Sequence, residues 1–214
     1  MNWSDASAIA VEECTDDELM VRLQEGDATA FPLLVERYHA RLVGFFCRNV
    51  RDRYLADDLA QDTFLRVYEE AWDYIPQGTF RAWLFRIARN LMIDAIRRQS
   101  RDALVGSRRP TQGSEDVVWQ RIADDLTTPL EHIRTQELAA ALTESLQQLP
   151  EEQRLTFTLH HFADLKLQEI ADVLEIPLNT CKSRLRLARE KLSESLSRFA
   201  VDAEIPVNEG GNRA

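Results

Sequence analysis

Between Leu178 and Leu192 the chain reads LNTCKSRLRLAREKL, and its polar residues are spaced for chemistry on a helix. At about 3.6 residues per turn, Asn179, Lys182, Ser183, Arg186 and Arg189 gather on one side. Cys181, Leu185, Ala188 and Leu192, spaced by four, three and four, gather on the other. One face therefore buries itself, while the other carries amide, hydroxyl and guanidinium groups near a helix start. Those groups can hydrogen-bond base edges and phosphates in a major groove, where Arg suits guanine and Asn suits adenine. The alternative for such a face is simple solvation in a helical bundle.

Other reactive residue types are present without the spacing that catalysis or metal binding needs. His160, His161 and Asp164 lie in HHFAD, but adjacent histidines diverge on a helix and cannot share a metal as an i, i+4 pair can. Cys14, Cys47 and Cys181 stand far apart with no paired spacing, which argues for reduced thiols rather than a disulfide framework or zinc site. We expect no catalytic residues, no metal and no cofactor.

The elements that must position the basic face are helical throughout. LQEIADVL, the turn EIP and the basic segment read as a helix-turn-helix, with Ile170, Ala171, Leu174 and Ile176 as its apolar contacts. Upstream, Pro150 opens a helix whose first turn carries carboxylates. In the first half, Thr15 to Glu18 has capping-box form, and Gly26 with Asp27 ends one helix and begins the next. Two longer helices follow, the second exposing Ala60, Phe64, Val67 and Ala71 to a core. After the break at Tyr74 to Thr79, FRAWLFRIARNLMIDAIRRQSR resumes the pattern, with Trp83, Leu84, Ile87, Leu91 and Ala95 expected inward. We therefore expect an all-α fold of two small helical domains joined by a flexible linker. The expected divisions are an extension at 1–14, a first domain at 15–101, a linker at 102–129, a second domain at 130–199 and a disordered tail at 200–214.

Charge is distributed unevenly over these segments. The net charge is -10, yet residues 71–101 hold Arg81, Arg86, Arg89, Arg97, Arg98 and Arg101 against only Asp73 and Asp94. Two basic islands in an acidic protein suit either nucleic-acid footprints or solvated helix faces. The N-terminus is acidic without a basic-then-apolar leader, and no window approaches 18 uninterrupted apolar residues, so a soluble cytoplasmic protein without membrane insertion is expected.

LPEEQRLTFTLHHFADLKLQEIADVLEIPLNTCKSRLRLAREKL resembles region 4 of bacterial extracytoplasmic-function (ECF) sigma factors, in Glu169-Ile170-Ala171 and in Thr180 through Arg189. Glu175 departs from the glycine often found in the turn, and Cys181 from the usual valine. DDLAQDTFLRVYE is similar to sigma region 2.2, and TFRAWLFRIARNLMIDAIRRQSR to regions 2.3 and 2.4. Nothing resembles region 1.1 or region 3, in keeping with the two-domain ECF class.

The resemblance implies a factor that binds core RNA polymerase, through the β′ coiled coil and the β flap, and directs initiation at promoter DNA. An anti-sigma factor is a further candidate partner. Polymerase binding falls on Asp58, Gln61, Asp62 and Leu65, an acceptor-rich stripe around an exposed leucine that suits an Arg-rich partner. Minus-35 recognition falls on Asn179, Thr180, Lys182, Ser183, Arg186 and Arg189. Minus-10 recognition and melting fall on Gln77, Gly78, Thr79 and Phe80, the loop that would hold a flipped base, and on Arg86, Arg89, Asn90 and Arg97. For Phe80 and Trp83 core packing is the more ordinary role, and Asp94 is expected to pair with Arg97 or Arg98. A stand-alone helix-turn-helix regulator is the rival reading, and an enzyme built on the histidines a distant one.

Overall fold

The computed structural model describes residues 14–104 and 140–203, and among them every regular element is a helix. Of the expected divisions, the linker from 105 onward, the extension up to 13, the start of the second domain at 130–139 and the tail from 204 lie outside the described residues. No described helix is long and apolar enough to cross a membrane.

Helix α1 (Asp16–Gln24) starts on the expected capping box: Thr15 Oγ1 accepts the Glu18 N–H, and the Glu18 carboxylate accepts the Thr15 N–H at 2.7 Å. Its end needs Gly26, which at φ +90° occupies the left-handed region while Asp27 N–H returns to the Arg22 carbonyl. Helices α2 (Ala30–Asn49) and α3 (Arg53–Glu69) follow, the latter capped by Asp52, whose carboxylate accepts the Tyr54 and Leu55 N–H groups. A 3-10 turn (Ala71–Asp73) and the loop at 74–79 lead into α4 (Phe80–Leu104). Phe45 is fully buried where α2 meets α4, with its ring centroid 5.3 Å from Phe46 and 5.5 Å from Phe85. Truncating it would cost about 3–5 kcal/mol.

The buried stripe of α4 differs from the one expected. Leu84 and Ile87 are buried as expected, and Phe85, Ala88 and Met92 are buried with them, whereas Trp83, Leu91 and Ala95 are only half-buried. Apolar residues occupy too much of this helix for periodicity to locate the stripe, and the packing of α2 and α3 against it decides.

The second half comprises α5 (140–148), α6 (Glu151–His161), α7 (Leu167–Leu174) and α8 (Leu178–Ala203). Pro150 caps α6 from just outside rather than occupying its first helical position. Between α7 and α8 the chain turns at Glu175, whose φ of 56° and ψ of 44° are left-handed. The departure from glycine noted in the sequence leaves the turn's geometry intact but puts a Cβ where it costs about 1 kcal/mol.

The two halves meet directly. Helix α2 packs on α6, α4 packs on α7, and one continuous apolar core runs from Leu19 to Cys181. At the contact, Asn49 Nδ2 donates to Thr158 Oγ1 at 3.0 Å, Gln147 Nε2 donates to the Arg48 carbonyl at 3.0 Å, and the Arg48 guanidinium lies 3.6 Å over the Phe162 ring. Burial depresses the Arg48 pKa to about 10. On the rim, Arg81 meets the carbonyl and carboxylate of Asp164 at 2.9 and 2.8 Å.

Candidate polymerase and nucleic-acid interfaces

Helix α3 buries Ala56, Leu59, Ala60, Thr63, Phe64 and Val67 against its neighbours. That leaves Asp58, Gln61, Asp62 and Leu65 exposed together on the other side. Its flanking charges are occupied locally, Arg53 with Asp57 at 3.8 Å and Arg66 with Glu69 and Glu70 at 3.5 Å each, while Asp58 and Asp62 enter no ion pair among the described residues. The acceptors are thus available to cations from outside. Sequence reading missed the ridge that continues from Leu65 through Tyr68, Trp72 and Ile75, each at least 57% exposed. The three- and four-residue spacing of Leu65, Tyr68 and Trp72, opposite the buried stripe, was the available signal.

The loop at 74–79 and the outer side of α4 form a second surface. Gln77, Gly78 and Thr79 are exposed, and Gly78 is left-handed at φ +71°. Phe80 is not available as a stacking platform. It is 2% exposed, with ring centroids of Tyr38, Tyr74 and Trp83 at 5.4, 5.9 and 6.0 Å, so it supports the loop from beneath. Burial and a hydrogen bond to Asp17 raise the Tyr74 hydroxyl well above the usual tyrosine pKa, keeping it a neutral donor. Along α4, Arg86, Asn90 and Arg97 are exposed, and Arg89 is half-buried with its guanidinium 3.2 Å from the Asn90 side-chain oxygen. Asp94 pairs with Arg97 at 3.9 Å.

In the helix-turn-helix, Ile170, Ala171, Val173 and Leu174 of α7 share a core with Cys181 of α8, Ala188 and Leu192 pack with Leu146 and Leu149, and Leu185 is buried. Burial pushes the Cys181 thiol up, which keeps it an inert packing group. Asn179, Lys182, Ser183, Arg186 and Arg189 face outward, with Thr180 half-buried at the edge. Ser183 Oγ donates to the Asn179 carbonyl at 2.9 Å, and Arg186 pairs with Glu190 at 2.5 Å. Such exposed pairs contribute little and exchange readily for phosphate contacts. Arg189 lies 3.4 Å from His161 Nε2.

His160 Nδ1 donates to the Leu165 carbonyl at 3.0 Å, which ties that ring to the α6–α7 connection. Among the described residues no group of three or more His, Cys, Asp or Glu side chains could hold a metal ion.

Comparison with known proteins identifies the family. Residues 34–102 match Sigma-70 region 2 and residues 139–192 match Sigma-70, region 4. Over 194 residues the chain is 32% identical to the RNA polymerase sigma-H factor of Pseudomonas aeruginosa, covering 88% of this chain and 97% of that protein. It is 29% identical to the ECF RNA polymerase sigma factor SigW of Bacillus subtilis, over 84% of this chain and 98% of that one. Among solved structures, CnrH in complex with the cytosolic domain of CnrY aligns at a TM-score of 0.58 and 26% identity, over 89% of this chain and 99% of CnrH. RpoE bound to the anti-sigma factor NepR from Bartonella quintana shares the fold at a TM-score of 0.64 and 21% identity, over 78% and 96% of the two chains. The chain belongs to the sigma-70 family, in its extracytoplasmic-function group.

Proposed function

We propose that this protein divides promoter recognition between its two halves. As an ECF sigma factor it binds core RNA polymerase and directs it to promoter DNA. Asp58, Gln61, Asp62 and Leu65 dock the β′ coiled coil, and Tyr68 and Trp72 extend the patch. Asn179, Lys182, Ser183, Arg186 and Arg189 read the minus-35 element in the major groove. Gln77, Gly78 and Thr79 receive a minus-10 base, while Arg86, Arg89, Asn90 and Arg97 hold the strand. Binding and strand separation need no catalytic group, and the protein acts where the polymerase is, in the cytoplasm.

The observation that carries this reading is the presence, in one chain, of an exposed acceptor stripe on α3 and a basic outward face on α8. A stand-alone regulator needs only the second. Because CnrH is in complex with the cytosolic domain of CnrY and RpoE with the anti-sigma factor NepR, an anti-sigma factor is also proposed for this chain. Run-off transcription with core polymerase on a randomised promoter library tests the reading. Core-dependent transcripts with enriched minus-35 and minus-10 motifs are expected, and DNA binding that ignores core polymerase would overturn it.

A further inference from the structure

We propose that Asp17, on α1, is a positioning residue that sets the shape of the loop reading the minus-10 element. The proposal rests on the reading above, in which Gln77 to Thr79 meet the promoter strand. Asp17 lies 61 residues from Gly78 in sequence, yet one of its carboxylate oxygens accepts the Gly78 N–H. The other accepts the Tyr74 hydroxyl at 2.6 Å. On the same helix, two turns further on, Gln24 Nε2 donates to the carbonyls of Ala71 and Tyr74 at 2.7 and 2.8 Å. Both ends of the loop are therefore tied to α1.

Helix α1 is itself anchored to α2 through Asp16, which accepts from the Tyr38 hydroxyl and pairs with Arg37 at 3.1 Å. The loop has little else to hold it. Ile75 is 66% exposed and residues 76–79 are exposed, so apolar packing does not define their conformation. The left-handed Gly78 turns its N–H toward the carboxylate, and the side chains of Gln77 and Thr79 are left outward.

The residue type favours geometry over charge as the reason for Asp17. A carboxylate beside a loop that approaches a polyanion weakens DNA affinity. An asparagine would remove that repulsion, but its amide has one acceptor oxygen and presents donors at the other position. An asparagine could keep both contacts only by donating to the Tyr74 oxygen, so the Tyr74 hydroxyl would lose its acceptor and the Gly78 N–H its charged one; the carboxylate alone accepts from both.

The two explanations predict opposite results for Asp17→Asn in the full-length holoenzyme. Open complexes would be quantified with permanganate on a selected promoter and on single-base minus-10 variants of it. Gln77→Ala and Thr79→Ala serve as loop controls, and core affinity and melting temperature are measured for each protein. Exchanging the two charge-assisted hydrogen bonds for neutral ones, about 1 kcal/mol in all, converts to about a fivefold reduction in the preference for the parent minus-10 sequence. Core affinity should be unchanged. Unaltered discrimination in Asp17→Asn, or opening that increases uniformly on all promoters, would overturn the proposal while the loop controls still lose discrimination. If the loop controls also discriminate like the parent, the minus-10 assignment itself falls. Asp17→Ala, which removes both acceptors, should lose at least as much discrimination as Asp17→Asn, and the reverse order would also count against positioning.

Discussion

Polymerase should pull the two halves of this protein apart, and the structure sets the scale of that movement. Elements centred at minus-35 and minus-10 are about 25 base pairs apart, or about 85 Å at ~3.4 Å per pair. A compact chain of this length has a radius of gyration of about 17 Å and a diameter of about 45 Å. With α2 packed on α6 and α4 on α7, the α8 face and the 74–79 loop cannot reach both elements at once. The polar bonds across the contact are individually weak, and the shared apolar core supplies the rest of what polymerase binding must offset. The Asn49–Thr158 bond contributes about 1 kcal/mol, and the Arg81–Asp164 pair, with the Asp164 side chain 73% exposed, less than that. Fluorophores placed through unnatural amino acids at the exposed positions Glu36 and Lys191 should report efficient energy transfer in the free protein and a large loss on adding core polymerase. Asn49→Ala should raise the open population of the free protein about fivefold, because Thr158 keeps its own bond to the Leu155 carbonyl and the loss falls on the contact. An unchanged distance on polymerase binding would refute the reasoning.

Changing Asp58, Gln61 and Asp62 together to Ala should weaken core binding at least tenfold in a titration, with melting temperature within a few degrees of the parent, since all three are exposed. Glu175→Gly should raise stability by up to about 1 kcal/mol in denaturant unfolding, because it relieves the left-handed turn against the greater entropy of glycine in the unfolded chain. His161 is held below the usual histidine pKa by burial first, then by His160 and Arg189. The neutral ring is therefore the favoured one in the fold, and stability present above the ordinary value near 6.5 should decline as pH falls through the lowered one. The stability difference between His161→Gln and the parent, followed from pH 7.5 to 5, should shift in favour of the variant at acid pH.

Local chemistry made much of this architecture legible. The Thr15–Glu18 box, the α3 stripe and the buried series Cys181, Leu185, Ala188 and Leu192 each follow from residue types a few positions apart, and each stands in the structure as expected. What escaped depends on distant partners. Asp17 reads as one acid among several near the N-terminus until Gly78 is placed against it, and Asn49 reads as an ordinary helix end until Thr158 arrives from 109 residues away. Phe80 was ambiguous for a related reason. An aromatic at a helix start can face a base or the core, and Tyr38 from α2 decides for the core. The α4 stripe was located only in part, at Leu84 and Ile87, because its apolar residues outnumber the positions one face can bury.

The central claim is that the two DNA surfaces act at different steps, and complex formation by holoenzyme carrying variants of each tests it most directly. Lys182→Ala and Arg186→Ala should each lose on the order of 1–3 kcal/mol of binding together with dependence on the minus-35 sequence, seen as reduced closed-complex footprints. Asn90→Ala and Thr79→Ala should leave those footprints intact and lower permanganate reactivity of unpaired thymines. Normal footprints with the Lys182 and Arg186 variants, or parental opening with the Asn90 and Thr79 variants, would contradict the account.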